Sequence, residues 1–110
     1  MNTAAAQAVL VAHYKLRPDA DLEELRQIGE RMWALTNEEP GFGFRAGWYL
    51  TVGDGSKVAI YEFDDLAGLE RFRLHPEHLA VQRRWAEFFE WMRNDVCTVV
   101  RKDTLGPVPL

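Results

Sequence analysis

The pattern of apolar and polar residues divides the chain into strand-like and helix-like segments. A mainly apolar run over 7–17 predicts a first strand. Apolar positions at helical spacing then predict a helix over about 19–37, which ends at the Glu-Pro-Gly sequence of 39–41. Two further strands are predicted over 44–52 and 57–63. Two glycines in the segment between them suit a hairpin turn, so we expect these strands to pair antiparallel.

The second half of the chain predicts two helical segments and a last strand. Asp64 and Asp65 can cap a short helix over 66–72. A new helix starts at His75, with apolar residues at helical spacing as far as Met92. A last strand is predicted over 95–102. The order βαββαβ is typical of the ferredoxin-like α+β class, in which helices cover one face of an antiparallel sheet.

Apolar side chains lie on both sides of the first predicted strand. Val9 and Val11 alternate with Ala8 and Leu10, so both faces of this strand need cover. The helices of one chain cover only one face of the sheet. The other face would therefore be an exposed apolar surface unless a second copy packed against it. We predict a homodimer.

Length, charge and cysteine content narrow the class of protein. With 110 residues the chain suits one domain over 1–103, followed by a C-terminal tail at 104–110. The net charge is -4 and no stretch gathers basic residues with aromatic ones, which argues against a nucleic-acid partner. No apolar segment approaches the roughly 20 residues of a membrane span, and no signal peptide is recognisable. With Cys97 as the single cysteine, these features predict a cytoplasmic protein that does not bind membranes.

The sequence His-Pro-Glu-His at 75–78 is the strongest candidate for chemistry. His75 suits the N-cap of a helix with Pro76 at its first position, which puts His78 in the first turn. There the unpaired backbone N–H groups and the helix dipole favour the neutral imidazole, a form that accepts a proton near neutral pH. We predict that His78 is a general base. The alternative, a histidine satisfied by a backbone carbonyl or by water, is open at this point.

Other chemistry has less support in the sequence. His13, His75 and His78 are too few and too scattered for a metal site, and the glycine pairs are not followed by helices as in phosphate-binding loops. We therefore expect neither a metal nor any other cofactor. Arg45 and Arg73 are candidates for binding an anionic oxygen.

The segment from Phe63 to His78 resembles part of a known superfamily. Its strand, acidic turn, short helix and His-Pro-x-His sequence are similar to the stress-responsive A/B barrel proteins, a group that includes plant polyketide cyclases. The βαββαβ order over nearly the whole chain, together with four tryptophans, resembles the antibiotic-biosynthesis monooxygenases. Both groups belong to the dimeric α+β barrel superfamily, and the chain is identified as a member of it by this resemblance.

The resemblance implies an enzyme that works without metal or flavin. In the cyclases the second histidine of the motif is the catalytic base, which corresponds to His78, and a tyrosine lies three residues before the first histidine. Phe72 occupies that position in this chain. Tyr14, Tyr49 and Tyr61 are therefore the candidates for a replacement phenol.

The leading hypothesis from the resemblance is a cofactor-independent monooxygenase of aromatic or polyketide metabolism. In it, His78 deprotonates a phenolic or acidic-carbon substrate, and the resulting carbanion reacts with oxygen. One alternative is a polyketide or aromatic cyclase or isomerase with the same base. Another is a non-catalytic dimeric ligand-binding or stress protein, because one fold hosts many functions.

Two aromatic residues of the second strand bear on the substrate cleft. Trp48 and Tyr49 point to opposite sides of that strand, and the sequence leaves open which of them faces the cleft. Besides His78, the expected contacts of a hydrophobic aromatic substrate are Tyr14, Trp48, Tyr61, Phe72, Arg73, His75 and Trp85.

Overall fold

The strands of the protein form one antiparallel sheet. A computed structural model describes residues 7–38 and 40–103. The strands are β1 (Ala8–Leu16), β2 (Phe44–Thr51), β3 (Lys57–Phe63) and β4 (Phe89–Thr98). Their order across the sheet is β2-β3-β1-β4, so the first and third strands of the chain are central.

Helices cover one face of this sheet. They are α1 (Leu22–Glu38), α2 (Leu66–Arg73), α3 (Pro76–Gln82) and α4 (Trp85–Phe88), and a short 3-10 turn (Pro40–Phe42) precedes β2. Since α2 to α4 together connect β3 to β4, the order confirms the predicted ferredoxin-like α+β fold. No helix within 7–38 or 40–103 is long and apolar enough to cross a membrane.

The last strand begins earlier than the sequence predicted. We expected a helical stripe as far as Met92 and a strand over 95–102, whereas β4 starts at Phe89, so this part of the prediction is wrong. The reason is tertiary pairing, which overrides local periodicity: β4 pairs with β1, and Met92 lies opposite Tyr14. The predicted tail at 104–110 lies outside the described residues.

The register of β1 decides which side chains face the helices. Ala12 lies opposite Ala59 of β3 and Asn94 of β4. Because side chains alternate along a strand, Leu10, Ala12 and Tyr14 share the helix-covered face. A hydrophobic core forms between this face and the helices; its buried members are Ala8, Leu10, Leu35, Phe42, Phe63, Leu69 and Phe72.

The opposite face of the sheet is largely apolar. On this face Trp48 and Leu50 of β2 lie opposite Ile60 and Val58 of β3. The side chains of Trp48, Leu50 and Trp91 are 54%, 45% and 42% exposed. We call this surface the outer face.

Helix α2 packs closely against the turn before β2. Of the two predicted capping residues, Asp65 is the N-cap of α2, and its carboxylate accepts a hydrogen bond from the Gly68 backbone N–H at 2.8 Å. A Cβ atom at Gly68 would overlap the backbone carbonyl of Phe42. Glycine at this position therefore lets α2 approach the turn and brings the rings of Phe42 and Phe72 to 5.6 Å, centroid to centroid.

The close approach at Gly68 predicts a loss of stability on adding one methyl group. Gly68→Ala is expected to lower the free energy of unfolding by about 1–3 kcal/mol, because the tightly packed backbone must shift. In the matched control Gly29→Ala, the added Cβ in α1 meets nothing within 4 Å. This control is expected to raise the free energy by about 0.5–1 kcal/mol, since alanine is the better helix former. Urea denaturation measures both, and a stabilised Gly68→Ala variant would contradict the packing described.

Candidate functional site

A cavity of about 280 Å³ lies between the sheet and the helices. Its floor is the helix-covered face of the strands, α1 forms one wall, and α2 to α4 form the opposite wall. An apolar cavity with a few polar groups is typical of a small-molecule site. Apart from two tryptophans, the lining side chains with polar groups are Tyr14, Thr36, Tyr49, Tyr61, Arg73, His78, Gln82 and Asn94.

Small side chains make room for this cavity. Ala12 and Ala59 lie opposite each other in the two central strands, and their short side chains leave space above the middle of the floor. Gly29 of α1 lines the cavity and carries no side chain. The apolar residue Ile28 of the same helix is only half-buried, because it borders this space.

The break between α2 and α3 positions His78. α2 ends at Arg73, and the backbone of His75 is extended (φ -61°, ψ 137°), the conformation favoured before a proline. The Nδ1 atom of His75 accepts a hydrogen bond from the Glu77 backbone N–H at 3.1 Å, and Pro76 occupies the first helical position. The predicted N-cap and helix start are therefore confirmed, and they turn His78 inward.

One hydrogen bond determines which nitrogen of His78 carries the proton. The Nδ1 atom lies 3.1 Å from the backbone carbonyl oxygen of Arg73. A carbonyl oxygen only accepts, so the neutral imidazole donates from Nδ1 and its lone pair is on Nε2. Within the described part of the chain Nε2 has no hydrogen-bond partner, while His78 lines the cavity. The arrangement leaves a proton acceptor available to a bound molecule.

The surroundings of His78 favour its neutral form. The residue is 8% exposed, and its ring lies 4.8 Å from Phe72 and 6.4 Å from Trp85, centroid to centroid. Burial lowers the pKa of the imidazole below its ordinary value, and the nearby charge of Arg73 lowers it further, against the opposing effect of the hydrogen bond to the carbonyl. His78 is thus an unprotonated base near neutral pH.

Tyrosines of the sheet supply hydroxyl groups to the floor of the cavity. Tyr14 and Tyr61 line it, and the ring of Tyr49 lies 5.9 Å from that of Tyr61 at the rim. Burial raises the pKa of Tyr61 strongly, and the neighbouring phenols raise it further. Burial also raises the pKa of Tyr14. Both phenols therefore stay protonated and can donate a hydrogen bond to a substrate oxygen.

The structure brings most of the predicted site residues to one cavity. Two of the predicted substrate contacts do not line it. Trp48 lies on the outer face, where its Nε1 donates to Glu62 at 2.9 Å, because the strand register turns Tyr49 inward instead. His75 is occupied in capping α3. The predicted contacts that do line the cavity are Tyr14, Tyr61, Phe72, Arg73, His78 and Trp85.

Other candidates from the sequence lie elsewhere. Arg45 is exposed and pairs with Asp64 at 2.7 Å. His13 lies on the outer face, where its Nε2 is 2.9 Å from the hydroxyl oxygen of Ser56. Within 7–38 and 40–103 no three His, Cys, Asp or Glu side chains are grouped so as to hold a metal ion.

Sequence reasoning missed some polar residues of the cavity. Asn94 belongs to β4 and reaches the floor only because this strand begins early and pairs with β1. Gln82 lies on the helical stripe that starts at His78, so the spacing contained a signal for it. For Asn94 the local sequence contains no such signal.

Comparison with known proteins shows similarity of structure. No family model matches the chain, and no curated protein matches its sequence. The chain is similar in structure to a mutant form of SnoaB, a cofactor-independent oxygenase from Streptomyces nogalater (19% identity, 89% of this chain and 97% of that chain, TM-score 0.70). It is also similar to Rv0793 from Mycobacterium tuberculosis (22% identity, 92% of this chain and 100% of that chain, TM-score 0.69).

A third similar structure is a dimeric protein of unknown function and ferredoxin-like fold from Bacteroides fragilis. It is 21% identical over 88% of this chain and 100% of that chain, with a TM-score of 0.59. Identities this low establish the fold and leave function to the site itself. The chain shares the ferredoxin-like α+β fold of these structures.

Proposed function

We propose that the protein is a cofactor-independent monooxygenase that acts on an aromatic or polyketide-type substrate bound in the cavity. The observation that carries this proposal is the buried His78, which lines an apolar cavity and whose Nε2 has no hydrogen-bond partner among the described residues. A base in such a place abstracts a proton from a phenol or an acidic carbon, which contributes roughly 10²–10⁴-fold to the rate.

The reaction proposed is the conversion of an activated methylene group to a carbonyl. His78 removes a proton from the substrate, and the delocalised carbanion gives its electrons to dioxygen, so that a carbon–oxygen bond forms. Protonation of the resulting peroxide and loss of water then leave the carbonyl. In sum, CH₂ and O₂ become C=O and H₂O. The substrate supplies the electrons that reduce oxygen, and the protein supplies the base, the orientation and the apolar surroundings.

The floor of the cavity supports the same chemistry. The protonated phenols of Tyr14 and Tyr61 can donate hydrogen bonds to a carbonyl oxygen on which negative charge develops. They are our candidates for the phenol that Phe72 lacks. The structural similarity to SnoaB, itself a cofactor-independent oxygenase, agrees with this class of reaction.

A second candidate function uses the same base without oxygen. The His-Pro-Glu-His sequence resembles that of polyketide cyclases, and a base facing tyrosine phenols suits ring closure or isomerisation equally well. In that case His78 removes a proton, and the carbanion attacks a carbonyl of the same molecule. Consumption of oxygen separates the two reactions, and a protein that only binds ligands accelerates neither.

Oxygen uptake with 1,8-dihydroxyanthrone as substrate tests the proposal. With no added cofactor, His78→Gln is expected to lower the enzyme-dependent rate by about 10²–10⁴-fold, because glutamine cannot act as the base. His75→Asn is the matched control. It removes the neighbouring histidine outside the cavity while keeping a good N-cap, so its rate is expected to stay near that of the unaltered protein.

Each outcome of this assay has a distinct meaning. Uptake that depends on His78 supports the monooxygenase. Loss of an activated polyketide analogue without uptake, again dependent on His78, replaces it with the cyclase or isomerase. If the rates of oxygen uptake and of substrate loss are both the same in the His78→Gln variant and the unaltered protein, a base role for His78 is contradicted in either reaction.

We also propose that two copies associate through the outer face of the sheet. Trp48, Leu50 and Trp91 are large apolar side chains on this face, and each is more than one third exposed. Exposed apolar patches of this kind mark interaction surfaces. The similar protein from Bacteroides fragilis is itself described as dimeric.

A charge placed on the outer face tests the dimer. Leu50→Glu is expected to cost about 3 kcal/mol of association energy or more, roughly a hundredfold in Kd, because an unpaired carboxylate would be buried in the interface. Leu22→Glu is the matched control, since Leu22 is also exposed but begins α1 on the helical side. Sedimentation equilibrium is expected to show a monomer for Leu50→Glu alone. Dissociation of both variants, or of neither, would contradict this interface.

A further inference from the structure

Arg73 is the only Asp, Glu, Lys or Arg among the described residues that line the cavity. The remaining lining residues are apolar, aromatic or neutral polar, and His78 is held in its neutral form. An apolar space of about 280 Å³ with one permanent positive charge on its wall suits a ligand of opposite charge. In such surroundings the attraction between ligand and guanidinium is stronger than in water.

The guanidinium of Arg73 has hydrogen-bonding capacity that the described residues do not use. Its Nη2 donates to Glu70 at 3.1 Å, and both side chains are about one third exposed. Its Nε is enclosed and has no hydrogen-bond partner in the described part of the chain. An enclosed donor on a charged group is costly to leave unpaired, and each such group calls for an explanation.

The position of Arg73 relates this charge to the base. The carbonyl that fixes the proton of His78 belongs to Arg73 itself, so the two residues are joined by a backbone hydrogen bond. The side chain of Arg73 takes no part in that bond. A substitution that removes the guanidinium therefore leaves the carbonyl, and with it the orientation of His78, in place.

From these observations we infer that Arg73 binds an anionic oxygen of the substrate, and that the substrate is a flat aromatic compound carrying one carboxylate or ionised phenol. Arg73 turns its unpaired edge toward the cavity on binding. Among the described contacts, one side-chain hydrogen bond, to Glu70, opposes this movement. Glu70 and the ligand thus compete for one guanidinium. This inference rests on the proposed function for the location of the site and adds the charge of the substrate.

Binding of three ligands of similar shape tests the inference by calorimetry. They are 2-naphthoate, its neutral analogue 2-naphthamide, and the phenolate of 2,4-dinitro-1-naphthol. Arg73→Gln is expected to weaken binding of the anions by about tenfold or more, the effect of losing a hydrogen bond to a charged group, and to leave the amide unchanged. Glu70→Gln is expected to tighten binding of the anions, because it removes the competing carboxylate.

Two control variants distinguish the anion site from a general effect of charge and from the base role of His78. Arg45→Gln removes the same charge from an exposed site outside the cavity and is expected to change none of the affinities. His78→Gln is expected to keep the preference for anions. The binding experiment therefore tests the anion site independently of whether His78 is a base. A preference for the carboxylate or for the phenolate identifies the source of the charge. Anions that bind no tighter than the amide, including the case in which no ligand binds, overturn the inference, as does weaker anion binding in Glu70→Gln.

Discussion

The hydrogen bond from His78 Nδ1 to the backbone carbonyl of Arg73 is the contact on which the account of this site depends. It exists because α2 ends at Arg73, where the last carbonyls of a helix have no partner within that helix. The following proline starts a new helix and carries the histidine back toward this carbonyl. One backbone contact thereby fixes the tautomer and orients the ring, and it leaves Nε2 without a partner among the described residues.

The space in front of this histidine has an equally simple cause. The sheet and α1 are held apart by a core that includes Phe63, Leu69 and Phe72, which are large and buried. At the middle of the floor lie Ala12 and Ala59, which fill much less volume. The core and the cavity share residues, since Phe63 and Phe72 belong to the core and also line the cavity.

Local sequence rules predicted the helix start at His75, because capping and proline preferences act over a few residues. The sequence also left two interpretations of His78 open: a catalytic base, or a residue whose ring is satisfied by a backbone carbonyl. The structure combines them, since Nδ1 is satisfied by a carbonyl and Nε2 has no partner within 7–38 and 40–103. The choice between Trp48 and Tyr49, and the early start of β4, depended on strand pairing across the sheet. No short stretch of sequence contains that information.

The most direct test of the central claim is a ¹⁵N NMR measurement of the His78 side chain during a pH titration. The account predicts that Nδ1 is protonated and Nε2 is not near neutral pH. Because burial lowers the pKa, the imidazolium is expected to form only as the pH falls below the usual value of 6.5. A proton on Nε2 in the neutral ring, or an imidazolium already present at neutral pH, would contradict the account.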